Sequence, residues 1–279
     1  MLLLKLSLIP GFLLLISLAG KRWGPSVAGW LSGLPVVVGP ILFFLAVEQG
    51  PAFAAQAATA ALSAMFAMIA FCVVYAQAAQ KLDWPAALMI ALLSWATAAV
   101  VLSLIPASLV FSTLAATTAL LAAPYLFPSV QPLASGPAPK SDKLLLRMLA
   151  GALLTLAVTL LASTVGERWS GLLAVFPVLG SVMAVFSQQT RGPAFTAALL
   201  RATATGMYSF AAFCLTLALA LPHWGWGAFV LGVAVSLGML LITKRLAAPS
   251  RGNARQMPEV AIERVPAKHV GGADTSLKP

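Results

Sequence analysis

Apolar runs long enough to cross a bilayer recur down this chain, at 2–19, 28–47, 52–79, 85–104, 107–127, 144–164, 170–187, 194–221 and 226–243. A helix rises ~1.5 Å per residue, so about 20 apolar residues cover the hydrocarbon core of a membrane. A chain of 279 residues that is 61% hydrophobic and only 9% charged has no way to hide those runs inside a soluble domain. Inside lipid, the backbone must satisfy its own hydrogen bonds, which leaves helices as the spanning structure for segments of this length. The expectation is therefore an all-α, polytopic transmembrane bundle of nine helices.

Polar and helix-breaking residues punctuate the runs: Gly20-Lys21-Arg22, Gln49-Gly50-Pro51, Lys81 to Asp83, Ile105-Pro106, Pro128 to Lys143, Arg191-Gly192-Pro193 and Pro222-His223. From Ala247 the chain mixes Arg, Lys, Glu, Pro and Gly without periodicity, the pattern of a disordered tail. Nine crossings put the termini on opposite sides. Of the basic residues flanking the spans, Lys21, Arg22, Lys81, Lys140, Lys143, Arg147, Arg191, Lys244 and Arg245 fall on one side, against Lys5 and Arg168 on the other. The excess of Lys and Arg marks the cytoplasmic side, so the N-terminus is expected outside and the C-terminus in the cytoplasm of a bacterial inner membrane. That asymmetry and the tail account for the net charge of +10. Anionic lipid is the natural partner of such a tail, and no nucleic acid is needed.

The stretch GPAFAAQAATAALSAMFAMIAFC from Gly50 returns as GPAFTAALLRATATGMYSFAAFC from Gly192, with 10 of 23 positions identical. At the same offset of 142, Gly29 pairs with Gly171, Pro35 with Pro177, Phe44 with Phe186, Phe71-Cys72 with Phe213-Cys214 and Trp84 with Trp226. Low complexity aligns alanine with alanine, but not Pro, Cys and Trp in register. Two four-helix units are expected, 1–104 and 144–246, joined by a linking helix and cytoplasmic loop at 105–143 and followed by a basic cytoplasmic tail at 247–279. One extra helix between the units turns the second upside down, the inverted repeat common in secondary transporters. The recurrence of Leu2-Leu3-Leu4-Lys5 as Leu144-Leu145-Leu146-Arg147 argues that the first run is a helix of the unit rather than a cleaved signal.

Gly171-Leu172-Leu173-Ala174-Val175-Phe176-Pro177 followed by Gly206-Met207-Tyr208-Ser209 resembles the small bacterial inner-membrane proteins of the GlpM type. Their pattern is a Gly-Leu-x-Pro-x-Phe-Pro helix and then a helix with Gly-Met-x-Ser. Ala174 departs from it. The resemblance implies a four-helix membrane unit and an inner-membrane location, and lends no catalytic residue.

Helix breakers sit mid-span in both copies: Gly33, Pro35, Gly39 and Pro40 in the first, Pro177 and Gly180 followed by Ser181 in the second. Proline removes a donor and clashes one turn back, and paired interruptions at matching places in two halves point to a transporter's binding site. The next helix of each unit carries polar residues at i, i+4 and i+7, which share a face: Thr59 and Ser63 with Phe66 in the first copy, Arg201, Thr205 and Tyr208 in the second. Arg201 lies about 9 Å into the span, where a charge costs roughly 2–3 kcal/mol unless it is paired or reaches water. It either snorkels to the headgroups or holds an anionic group by bidentate hydrogen bonds. Glu48-Gln49 and Gln188-Gln189 close the second helix of each unit, where they serve as gating or coupling residues or merely as polar helix ends.

Trp23, Trp84, Trp169, Trp224 and Trp226 read as interfacial anchors, and Cys72 and Cys214 as small core residues. The chain contains no paired carboxylates at a catalytic spacing, no nucleophile beside a base and no phosphate-cradling loop. His223 and His269 are dispersed. Neither an enzyme nor a cofactor or metal site is expected. Two functions stay open: a secondary transporter or exporter of a small solute, anionic if Arg201 holds it, with its site between the broken helices and the helices that follow them; or a non-transporting accessory protein that binds lipid or a partner in envelope assembly. Self-association into a homo-oligomer is compatible with either.

Overall fold

The computed structural model describes residues 2–32, 34–35, 38–105, 108–129, 144–164 and 176–247. Gly33, Trp169, Gly171 to Val175, most of the Pro128–Lys143 segment and the tail beyond residue 247 lie outside them. The described residues form helices throughout: α1 (Leu2–Trp23), α2 (Pro25–Ser32), α3 (Val38–Gln49), α4 (Pro51–Ala78), α5 (Trp84–Ser103), α6 (Leu109–Leu126), α7 (Leu144–Thr164), α8 (Val178–Trp224) and α9 (Gly227–Ala247). Five of these, α4, α5, α6, α8 and α9, are long and apolar enough to cross a membrane.

The helix boundaries follow the punctuation of the sequence with one difference. The 28–47 run is not one helix but two, α2 and α3, because Pro35 cannot donate and Leu34-Pro35 turn out of helical geometry. The 170–187 run, from Val178 on, and the 194–221 run form α8, whose two helical arms meet at a kink. Gly192 divides it with φ 82° and ψ 176°, a conformation essentially reserved for glycine. Gly50, between α3 and α4, has φ 91° and ψ 163° and is likewise followed by proline.

The centre of the bundle is α4 against α8. Ala54, Ala58, Leu62, Met65, Phe71, Cys72, Tyr75 and Ala76 of α4 are buried with Leu200, Ala204, Met207, Phe213, Cys214, Leu217 and Leu221 of α8. Small side chains allow close approach where lipid supplies no hydrophobic drive for helices to associate. A second cluster joins Leu13 and Ile16 of α1 and Ala28 of α2 to Val178, Val182, Met183, Phe186 and Leu199 of α8. Between α8 and α9, the Ser209 hydroxyl lies 2.7 Å from both the carbonyl and the hydroxyl of Ser236. Trp23, Trp84, Trp224 and Trp226 are exposed near helix ends, as anchors should be.

The tightest crossing is α2 on α8. A Cβ on Gly29 would come 2.5 Å from the Leu199 carbonyl oxygen and 2.8 Å from the Thr203 nitrogen, besides meeting the Ala202 methyl. Ser32 and Thr203 hydroxyls bridge the same crossing at 2.7 Å. Gly29→Ala must push the two backbones apart, and overpacking of this kind costs about 1–3 kcal/mol. The Gly29→Ala protein is expected to melt several degrees below the parent, whereas Gly238→Ala, where nothing lies within 4 Å, should not fall. A thermal melt of the detergent-purified proteins checks this.

Candidate functional site

The break between α2 and α3 and the start of α8 are closed by the same bond. Gly39 N–H donates to the Pro35 carbonyl at 2.6 Å, and Ser181 N–H donates to the Pro177 carbonyl at 2.8 Å. Each half-helix so begun lies against a buried phenylalanine of a long helix. A Cβ on Gly39 would sit 3.5 Å from Phe213 Cζ, and one on Gly180 would sit 3.4 Å from Phe71 Cε1 and 2.9 Å from Met68 Cε. Phe71 and Phe213 are 0% and 2% exposed. The structure thus brings Gly39 against Phe213 of α8 and Gly180 against Met68 and Phe71 of α4, with Pro35, Pro177 and Ser181 in the turns that lead into these contacts. Pro40 is half-buried in the first turn of α3 and Pro177 is buried. Gly33 lies outside the described residues.

The polar residues read on α8 have separate surroundings. Arg201 is exposed, Thr205 returns its hydroxyl to the Arg201 carbonyl at 3.0 Å, and Tyr208 donates to the Leu120 carbonyl of α6 at 3.0 Å. On α4, Thr59 donates to the Ala55 carbonyl at 3.0 Å and Ser63 to the Ala60 carbonyl at 2.8 Å. Periodicity found which residues share a stripe, but not which neighbour the stripe would face. The placement of Arg201 agrees with a side chain reaching headgroups.

The glutamines part company too. Glu48 and Gln49 are exposed at the end of α3. Gln188 is held at both ends of its amide: Oε1 accepts from the Tyr75 hydroxyl at 2.9 Å, and Nε2 donates to the Leu82 carbonyl at 2.9 Å. Gln188 and Gln189, with Gln80, Lys81, Leu82, Asp83, Trp84 and Pro193, line a cavity of about 370 Å³ where the α4–α5 turn meets the kink of α8. Gln80 Nε2 donates across it to the Pro193 carbonyl at 3.4 Å.

Sequence reasoning gave Arg147 a place in the charge count and in the repeat, but not in a site. Its side chain is 6% exposed: Nη1 donates to Ser17 Oγ of α1 at 3.3 Å, Nη2 to Thr190 Oγ1 of α8 at 3.2 Å, and its guanidinium stands 5.6 Å from the Phe186 ring centroid. It ties α1, α7 and α8 at one end of the bundle. The signal was available: Arg147 follows three leucines at the head of an apolar run rather than lying in a loop. Trp95 was likewise passed over, although an indole in the middle of a span cannot be an interfacial anchor.

Hydrogen bonds from a buried charged donor are worth about 1.5–3 kcal/mol each in place. Arg147→Ala is expected to lower stability by about 2–4 kcal/mol. Arg147→Lys should recover less than half of that loss, because one ammonium cannot reproduce the guanidinium fork. Denaturation of the two variants in detergent checks the order.

Among the described residues no group of three or more His, Cys, Asp or Glu could hold a metal. Neither a protein-family model, nor a curated protein, nor a solved structure matches the chain.

Proposed function

We propose that this protein is a secondary membrane transporter built from two inverted four-helix units, moving a small solute past the two helix interruptions. The observation that carries the reading is the reciprocal packing of the breaks. The half-helix begun at Pro35 lies on Phe213, the half-helix begun at Pro177 approaches Phe71, and these residues pair at the offset of 142. Local geometry at that offset supports a true duplication: Leu2 and Leu144 open α1 and α7, Gly50 and Gly192 share a positive φ before proline, and the Gly39–Pro35 and Ser181–Pro177 bonds coincide. Discontinuous helices meeting near mid-membrane, one from each half, are the usual frame of an alternating-access site.

On this reading the two units share nine crossings with helix α6 between them, the N-terminus lies outside, and the ends of α1, α4 and the first arm of α8 face the cytoplasm with Arg22, Lys81 and Arg191. The similarity to GlpM-type inner-membrane proteins fits the unit size. Arg201 is then a headgroup contact rather than a substrate ligand.

Leu34→Cys and Phe176→Cys, made after replacing the buried Cys72 and Cys214, test for a solvent route. In inside-out and right-side-out vesicles, at least one of the two is expected to react with a membrane-impermeant thiol reagent. Protection of both cysteines from both sides removes the transport reading and leaves the accessory protein. A reporter fused after Ser129 should be cytoplasmic and one after Gly166 periplasmic; both on one side would break the inversion.

A further inference from the structure

Two buried polar side chains beside the start of α8 make no hydrogen bond among the described residues. Trp95, midway along α5, is 5% exposed and meets the Phe176 ring edge-on, 5.2 Å between centroids. Its Nε1–H has no partner among the described residues. Ser181, in the first turn of α8 and 3% exposed, has a hydroxyl with none either. Elsewhere on α8, Thr196, Thr203 and Thr205 return their hydroxyls to their own helix. An unmet buried polar group is costly and rare in a folded protein, so each such group calls for an explanation.

The two flank one structure. Phe176, against which Trp95 packs, leads through Pro177 into the N-terminus of α8, and Ser181 N–H closes that turn on the Pro177 carbonyl. A helix N-terminus is the positive end of the helix dipole, with backbone donors that have no partner inside the helix. An indole N–H can only donate, and a serine hydroxyl can do so. Val178 N–H already donates to the Phe176 carbonyl at 2.8 Å, but the indole N–H, the serine hydroxyl acting as donor and the positive end of the helix dipole together favour an acceptor, and a negative one. Burial in the span sets the upper limit on charge, since desolvation rises steeply with it, so a singly charged carboxylate suits the place better than a phosphate.

We propose that Trp95 Nε1, Ser181 Oγ and the N-terminal turn of α8 bind the carboxylate of a small organic acid. The proposal rests on the transport reading for the solute's route to the break. The site belongs to one half only: at the offset of 142 the residues matching Phe176, Ser181 and Trp95 are Leu34, Gly39 and Leu237, none with a side-chain donor.

Propionate, propionamide and propylamine are the probes, titrated against the full-length protein in detergent with the melting temperature as readout. Propionate is expected to raise it, propionamide to raise it less, and propylamine to leave it unchanged. Trp95→Phe keeps the ring on Phe176 and Ser181→Ala keeps the helix, so neither should lower the melting temperature of the unliganded protein by more than about a degree. Each should need about tenfold more propionate for the same shift. Parent and variants responding alike, propylamine matching propionate, or no response of the parent to propionate would each overturn the site; so would a marked fall in melting temperature of the unliganded variants, which would assign these groups to structure. Propionate binding with the Leu34 and Phe176 cysteines closed would keep the site and remove transport, and open cysteines without propionate binding would do the reverse.

Discussion

A backbone that stops being helical in a span too apolar for water must find its hydrogen bonds in the protein itself. The break at Leu34-Pro35 and the start of α8 at Pro177 obey that constraint, and much of the remaining packing follows from it. Each half-helix is restarted by a bond to the proline carbonyl and then needs a neighbour broad enough to cover its first turn. Phe213 and Phe71 supply it, and glycine at positions 39 and 180 lets the rings come close. Phe213 is shared, because a Cβ on Gly232 of α9 would lie 3.1 Å from its ring. A ring hemmed in on two sides fixes the spacing of α3, α8 and α9 together. The small-residue content of α4 and α8 is then explained: these helices must approach each other closely while presenting large rings outward to the half-helices.

Much of this was legible in the amino-acid order because the bilayer converts length and polarity into position. The runs at 52–79, 85–104 and 107–127 became α4, α5 and α6 with end shifts of one or two residues, and Pro35 announced the division of the 28–47 run. What could not be read was direction. The stripe of Thr59 and Ser63, and that of Arg201, Thr205 and Tyr208, are faces of their helices, yet their hydroxyls satisfy carbonyls of the same helix or of α6. Rotation of a helix about its axis is set by packing across the bundle, and a polar stripe looks the same whether it faces a break or a neighbouring backbone. Gln188 shows the converse: its partners Tyr75 and Leu82 lie more than 100 residues away in sequence, with separations of 113 and 106.

The contacts at the two ends of the second arm of α8 differ in chemistry. Beside Pro193 the contacts are polar: Tyr75 and Leu82 on Gln188, Gln80 on the Pro193 carbonyl, and Arg147 on Thr190. Beside Trp224 they are aromatic, with Phe43, Trp226 and Phe229 centroids 5.3–6.4 Å apart. The residues matching Gln188 and Tyr75 at the offset of 142 are Ala46 and Leu217, so the polar contacts have no counterpart at the aromatic end. Each net hydrogen bond contributes about 1 kcal/mol and each aromatic pair about 0.5–1.5 kcal/mol beyond its buried area. The two sets of contacts are therefore of similar strength but answer to different solvents. Water entering the polar contacts replaces the bonds it breaks, whereas no solvent contact replaces stacked rings in water. On the transport reading, the polar end can open by exchanging protein hydrogen bonds for water, whereas the aromatic contacts, whose Phe43 and Trp226 rings are already 42% and 52% exposed, gain no such exchange.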